Sequence, residues 1–472
     1  YLIGTTGTGK TTLLQNMAYQ DMTDPTRPGL CVLDPHGDFI DDLLDRVPED
    51  RLDDVILFDP GSREQYERPL GLNLLSCDRG DPRQVARVTD TVINTLRKLY
   101  SYSWGPRMED LLRHAILTLM ATPETTFLEL LLMLVSPLHR AKFTGILKDP
   151  VLRHFWEIQF TAYDKRQRTE VVGSSLNKIG RFLANPLMRH VIAQPENAFS
   201  MREIMDGGKI LLVNLSKGDL GEDNSSLLGS LLVNLILTTA LERREMPPNQ
   251  RRKFHLLVDE YQNFATESFA TLQSEARKYG ITVTVAHQYR DQLDRQNLGA
   301  TLNVGNFIVM RATGIDAYDL ASQFDNQPPP PEIHYEPIYK PFRKSGETGE
   351  QLFIPTSLVS RGEKKPHRQV ERHVRSYMDV QAQTANELST MANFRARCRL
   401  IDNSGLVECE VKTMRPMGQA DESHRQYIVK QSAQLGARRK DVEADIERRM
   451  GTVRFDQPPP FGEETGGEGN SN

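Results

Sequence analysis

Short apolar runs that end at an acidic residue and a turn mark the first part of the chain. "GLCVLDPHGD" and "DDVILFDPGS" each close on Asp-Pro and a glycine, as buried parallel strands do when their loops lie at the carboxyl ends. From about Asp81 to Met201 the apolar spacing lengthens to threes and fours, in "RQVARVTDTVINTLRKLY", "PRMEDLLRHAILTLM" and "TFLELLLMLV", which predicts helices. Strand-like runs return in "KILLVNLS", "KFHLLVDE", "GITVTVAHQ" and "NFIVMRAT", alternating with helices such as Ser225 to Arg244. This rhythm predicts an α/β domain with a mostly parallel sheet, built from residues 1–80 and 202–326, with an all-α insertion over 81–201.

After Asn326 the pattern breaks. "QPPPPEIHYEPIYKPF" is proline-rich, and since proline fixes φ and donates no ladder hydrogen bond, 327–375 is expected to be a charged, extended linker. A helix from Val380 to Met391 and a hairpin, "RARCRLIDNSGLVECEV", predict a small α/β element over 376–415. The remaining 416–472 divides into a charged helical run, Glu422 to Met450, with little apolar face, and a disordered tail.

Composition changes this picture little. The 472 residues are 38% hydrophobic and 26% charged, as in a soluble globular chain of two or three domains. A formal charge of −5 excludes a wholly basic nucleic-acid coat but leaves a local basic channel open. Cys31, Cys77, Cys398 and Cys409 lack C-x-x-C spacing, so a cytosolic, reduced setting is expected rather than a zinc site or disulfide framework. The longest apolar stretch, Leu227 to Leu241, is too short to cross a membrane and carries Ser230 and Asn234; it reads as a buried helix.

The chemistry begins at "YLIGTTGTGKTTLL". Gly4, Thr5, Thr6, Gly7, Thr8, Gly9, Lys10 and Thr11 fit G-x-x-x-x-G-K-[ST], followed by Thr12 and a helix from Thr11 to Tyr19. Such a loop turns backbone N–H groups inward onto phosphate oxygens, Lys10 reaches the β and γ phosphates of ATP, and the Thr11 hydroxyl ligates Mg2+. Tyr1 to Ile3 read as the end of a strand whose beginning lies upstream, so the chain is expected to be a fragment.

A second constellation, "FHLLVDEYQNF", places Asp259 at the carboxyl end of a buried strand, where a doubly wound sheet binds ligands, with Glu260 next. Asp259 holds Mg2+, directly or through water, and Glu260 polarises the attacking water. Gln288 ends the following strand, within reach of the γ phosphate or that water. Arg277, eleven residues earlier, is expected to point away from its own loop and to complete a neighbour's site as an arginine finger; Lys278 competes for that role. Three weaker candidates each have a plain alternative. Arg107 in "SWGPRMED" lies near a nucleotide or simply opens a helix, Asp34 and His36 support the site or form an Asp-Pro turn, and Lys217 faces a channel or sits on a solvated turn.

Together "GTTGTGKTT", "LDPHGD", "WGPRMEDLLRHA", "RFLANPLMRH", "KILLVNLSKGDLGED", "LLVDEYQNF", "SEARKYGITVTVAHQ" and "FDNQPPPP" resemble, in this order, the HerA/FtsK class of hexameric DNA-pumping ATPases. Within it the resemblance is strongest to the coupling-protein-like ATPases of conjugative type IV secretion. It covers about Ile3 to Phe324, with an echo in "NELSTMANFRARCRL". It implies a RecA-like P-loop core, a homohexameric ring that threads DNA, secretion-channel, relaxase or nuclease partners, and a cytoplasmic motor; since family members carry either a small β-barrel domain or membrane helices before the phosphate loop, inner-membrane association through an upstream region stays open. Lys10, Thr11, Asp259, Glu260 and Gln288 match the family's nucleotide motifs, and Arg277 its trans-acting arginine. A HerA-like repair translocase, and a ring ATPase that moves polypeptide or assembles a secretion system, carry the same motifs and stay open, as does a nucleotide-gated interaction module. A small-molecule kinase is disfavoured, because an adjacent Asp-Glu pair suits water as nucleophile.

Overall fold

The computed structural model describes residues 1–327, 332–337, 339–342, 352–355, 367–372, 376–402 and 405–451. Its centre is a nine-stranded sheet. In chain order the strands are β1 (Leu2–Ile3), β2 (Gly29–Asp34), β3 (Val55–Phe58), β4 (Ile210–Asn214), β5 (Phe254–Val258), β6 (Ile281–His287), β7 (Phe307–Val309), β8 (Glu332–Pro337), β9 (Tyr339–Phe342), β10 (Leu352–Pro355), β11 (His367–Arg372), β12 (Arg395–Asp402) and β13 (Gly405–Lys412). The large sheet runs β13-β12-β7-β1-β6-β5-β2-β4-β3. The seven strands from β7 to β3 are parallel, while β12 joins β7 and β13 joins β12 antiparallel.

Strands buried on both faces must be apolar at successive positions, and the two faces of this sheet bury different halves of each run. Cys31, Leu33, Leu211, Val213, Leu256 and Val258 face a core shared with the helical insertion, whereas Leu30, Val32, Ile210, Leu212 and Leu257 face the opposite core. The first core is roofed by the helix Glu222–Glu242, where Gly229 lets the Phe264 ring approach; a Cβ there would lie 2.2 Å from ring carbons. Glu222–Glu245 is, among the described residues, the one helix long and apolar enough for a membrane span, and 83% of its apolar 18-residue stretch is buried inside the fold. Helices from Pro82–Leu99 to Pro186–Ile192 form the insertion, whose apolar core runs on without a break beneath the sheet.

Two expectations change. Within the stretch read as a linker, β8 pairs with β11 and β9 with β10, each antiparallel. Every strand of a two-stranded pair is an edge, so Pro337 and Pro341 need not donate to a ladder, which is why a proline-rich segment forms strands here. The element expected apart at 376–415 instead extends the nucleotide-domain sheet, with Cys398 opposite Ile308. The charged run beyond is two helices, Glu422–Gln434 and Arg439–Met450, and their few apolar residues are used: Ile428 joins the second core, Val442 and Ile446 pack with Leu128 and Leu132 of the insertion. The tail expected to be disordered lies outside the described residues beyond Gly451.

Candidate nucleotide site

The loop after β1 takes a cradle conformation that only part of its glycine content explains. Gly7 (φ 76°) and Gly9 (φ 102°) occupy the left-handed region, where a side chain is strained. Gly4 serves a different end: a Cβ there would lie 2.7 Å from Cβ of Met310, so the loop could not leave the sheet so closely. Gly9 ends the loop at the amino terminus of the helix Lys10–Thr23, whose free N–H groups and dipole favour an anion. Lys10 is folded back, its Nζ donating to the carbonyl oxygens of Gly4 (2.7 Å) and Thr5 (3.3 Å). Burial lowers its pKa, against the opposing pull of Glu260 and Asp259.

Strand order delivers the other groups. β6 lies between β1 and β5, so the phosphate loop, Gln288 and the Asp259-Glu260 pair stand at three adjacent strand ends. Thr11 Oγ1 donates to Asp259 Oδ2 at 2.9 Å, and burial pushes the Asp259 carboxyl from its ordinary 3.8 up to about 6, with the Thr11 hydrogen bond opposing. A buried carboxylate and a hydroxyl at this separation form a hard oxygen pair suited to Mg2+ whose remaining ligands are phosphate and water. Among the described residues no cluster of three His, Cys, Asp or Glu stands close enough to hold a metal ion.

Glu260 sits at φ 45°, ψ 49°, a left-handed conformation unusual for a non-glycine residue. Its carboxylate is held at both oxygens, by Gln288 Nε2 (2.9 Å) and Gln262 Nε2 (2.7 Å), while Thr6 Oγ1 donates to Gln288 Oε1 (3.0 Å). The relay Thr6-Gln288-Glu260 thus links the phosphate loop to the acid. Gln262 was not singled out in the sequence; its only signal was its place two residues after the acid.

The remaining candidates separate. Arg277 and Lys278 lie exposed on the 3-10 turn Ala276–Tyr279, not at their own phosphate loop. Asp34 accepts backbone N–H bonds from His36 (2.8 Å), Gly37 (2.8 Å) and Phe39 (2.9 Å), which makes it the clamp of a turn, and His36 is exposed. Arg107 is exposed at the start of the helix Pro106–Met120, whose first residue is a proline. Lys217 is not on a free loop: its Nζ donates to Asn263 Oδ1 at 2.8 Å, and Asn263 Nδ2 donates to the Glu260 carbonyl at 2.8 Å.

A phosphate cradle, an acidic pair and a polar amide on neighbouring ends of a parallel sheet define a P-loop nucleotide hydrolase. A sequence profile of the type IV secretion-system coupling protein DNA-binding domain matches residues 1–299, and the chain belongs to that family, the coupling-protein-like P-loop ATPases of conjugative DNA transfer. Solved structures with a similar fold include the bacterial conjugative coupling protein TrwBdeltaN70 in an unbound form, at 18% identity and a TM-score of 0.55, covering 89% of this chain and 85% of that one. TrwB in complex with ADP and Mg2+ gives 18% identity and a TM-score of 0.56, covering 89% and 86%. The complex of TrwB with a non-hydrolysable ATP analogue gives the same values. No curated protein matches the chain.

Proposed function

We propose that this chain is the motor part of a DNA translocase that hydrolyses Mg-ATP and acts as a ring of six in conjugative transfer, on the cytoplasmic side of the inner membrane. The observation that carries the reading is the convergence of Lys10, Thr11, Asp259, Glu260 and Gln288 on three adjacent strand ends. The similarly folded TrwB is known with ADP and Mg2+ and with non-hydrolysable ATP and GTP analogues, which supports a nucleotide with its metal as ligand.

In this reading the loop from Gly4 to Thr12 binds the phosphates, and Lys10 leaves the Gly4 and Thr5 carbonyls to neutralise them. Thr11 and Asp259 hold Mg2+, which supplies charge neutralisation at the transferred phosphate. Glu260, fixed at both carboxylate oxygens, accepts the proton of the attacking water, and Gln288 reports the state of the γ phosphate through Thr6 and Glu260. Arg277, exposed and away from its own loop, acts in the site of the next subunit. Family membership supports DNA as the cargo and secretion-channel or relaxase components as partners.

The test is steady-state ATP turnover of assembled protein with and without long DNA at low salt. Glu260→Gln is expected to bind ATP as the parent does and to lower turnover about 100-fold or more, within the usual worth of a general base. DNA should raise the parental rate and added salt should erode the rise. Turnover indifferent to DNA would favour a polypeptide pump, and an unimpaired Glu260→Gln would remove the catalytic assignment.

A further inference from the structure

The phosphate loop has a second neighbour that the hydrolysis chemistry does not use. Phe394, the residue before β12, lays its ring on Gly9; a Cβ at Gly9 would stand 2.6 Å from Phe394 Cδ1. Its backbone is bonded into the loop as well: Phe394 N–H donates to the Thr8 carbonyl at 2.8 Å, and its own carbonyl accepts from Thr413 N–H at 2.8 Å. Phe394 holds φ at 63°, a left-handed conformation that costs a bulky residue on the order of 1–3 kcal/mol. A ring buried for packing alone would be covered, yet Phe394 is 44% exposed. Met414, just after Thr413, is 59% exposed, and its carbonyl is pinned to the same helix by Asn16 Nδ2 at 3.1 Å.

Topology says what arrives there. The groups that handle the γ phosphate, Glu260 and Gln288, lie on the β6 and β5 side of β1. A nucleotide with its terminal phosphate on that side must carry its ribose and base away from it, across the amino terminus of the helix Lys10–Thr23. The opposite side of β1 belongs to β7 and β12, and the turn into β12 presents Phe394. We propose that Phe394 is the platform on which the purine of the bound nucleotide stacks, with Met414 beside it, so that the carboxyl-terminal hairpin completes the nucleotide site. This rests on the phosphate-binding reading of the loop. Stacking on an aromatic face needs no hydrogen bonds to base edges, which explains how a loop that reads only phosphate gains affinity for a nucleoside.

Titration calorimetry separates base from phosphate. ADP and inorganic tripolyphosphate, each with Mg2+, are titrated into the full chain, Phe394→Ala, Phe394→Tyr and Phe394→Asn. Asparagine tolerates the left-handed conformation, so Phe394→Asn removes the ring while relieving the backbone. Both ring-deleting variants are expected to weaken ADP roughly 5- to 100-fold while leaving tripolyphosphate within about twofold, and Phe394→Tyr should bind both as the parent does. Phe394→Asn should also melt at a higher temperature than Phe394→Ala. Equal loss of ADP and tripolyphosphate would make the ring a mere support for the loop and overturn the proposal, as would unchanged ADP affinity in Phe394→Asn. A parent that binds neither ligand would instead remove the phosphate-loop reading itself, and the platform with it.

Discussion

Asp259 shows how the demands of a site oppose those of the fold. Its carboxyl, raised from 3.8 to about 6 by burial, is protonated in both folded and unfolded chains below about pH 4 and ionised in both above about 6. Its contribution to stability is therefore full at low pH and lost as pH rises from about 4 through 6. Asp259→Asn should flatten that part of the pH-stability curve of the nucleotide-free protein and stabilise it near pH 7 by up to about 3 kcal/mol, measured by denaturant melts at several pH values. Metal binding runs the other way, since the proton competes with the cation for this carboxylate, so the apparent affinity for Mg2+ should weaken as pH drops below about 6. A variant no more stable than its parent at pH 7 would contradict the burial argument. Asp259, Glu260 and the phosphate loop were legible because each is a contiguous motif closing an apolar run. The left-handed Glu260 and its clamp by Gln262 were not, because backbone conformation at a strand end depends on what the loop must reach.

Elements were read best where periodicity was undiluted. The alternating βα runs of the parallel sheet and the insertion helices Pro82–Leu99, Pro106–Met120 and Phe127–Val135 match their expected places within a few residues, whereas the helices between Pro137 and Ile192 have no counterpart among the runs that predict helices. The hairpin β12-β13 was foreseen, but its docking on β7 was not, since pairing between distant strands leaves no local trace. The charged run Glu422 to Met450 shows little apolar face in the sequence yet docks on the fold, and the reason lies in pairing. Arg449, mostly buried, donates to Glu129 Oε1 at 2.9 Å, and Glu129 closes a capping box with Thr126. Charges so matched can line an interface that a hydropathy pattern would assign to solvent. Arg449→Ala removes the charged hydrogen bond to Glu129 together with those to Thr126 and the Ala193 carbonyl, and should lower the opening free energy of the helix Arg439–Met450 by at least about 1–3 kcal/mol. Limited proteolysis should then cut between the last two helices roughly 5- to 150-fold faster, in the regime where opening precedes cleavage. Unchanged cleavage would show that the Arg449 contacts do not hold the helix.

At the scale of the whole molecule, hydrolysis is expected to depend on assembly, because Arg277 is exposed and away from its own loop. Arg277→Ala should bind ATP normally and turn over slowly, and mixing it with Lys10→Ala should restore part of the rate, since one interface in the mixture pairs an intact loop with an intact arginine. No recovery in assembled mixtures would count against a role in trans. Oligonucleotides too short to cross a ring should stimulate weakly beside long DNA at equal nucleotide concentration.

The two-residue strand β1 has one more consequence, and it concerns synthesis. Leu2 is paired on one side with Ala286 and on the other with Ile308, so the phosphate loop emerges from the ribosome long before either neighbour exists. At roughly 5–20 residues per second, that wait is on the order of 15–60 s. During it the loop has no strand to hang from and no grip on nucleotide, while apolar segments of β2 and β3 are already outside. Over that interval a newborn chain gains nothing from its own ligand, and the apolar runs of β2 and β3 depend on protection that does not come from ATP in its site.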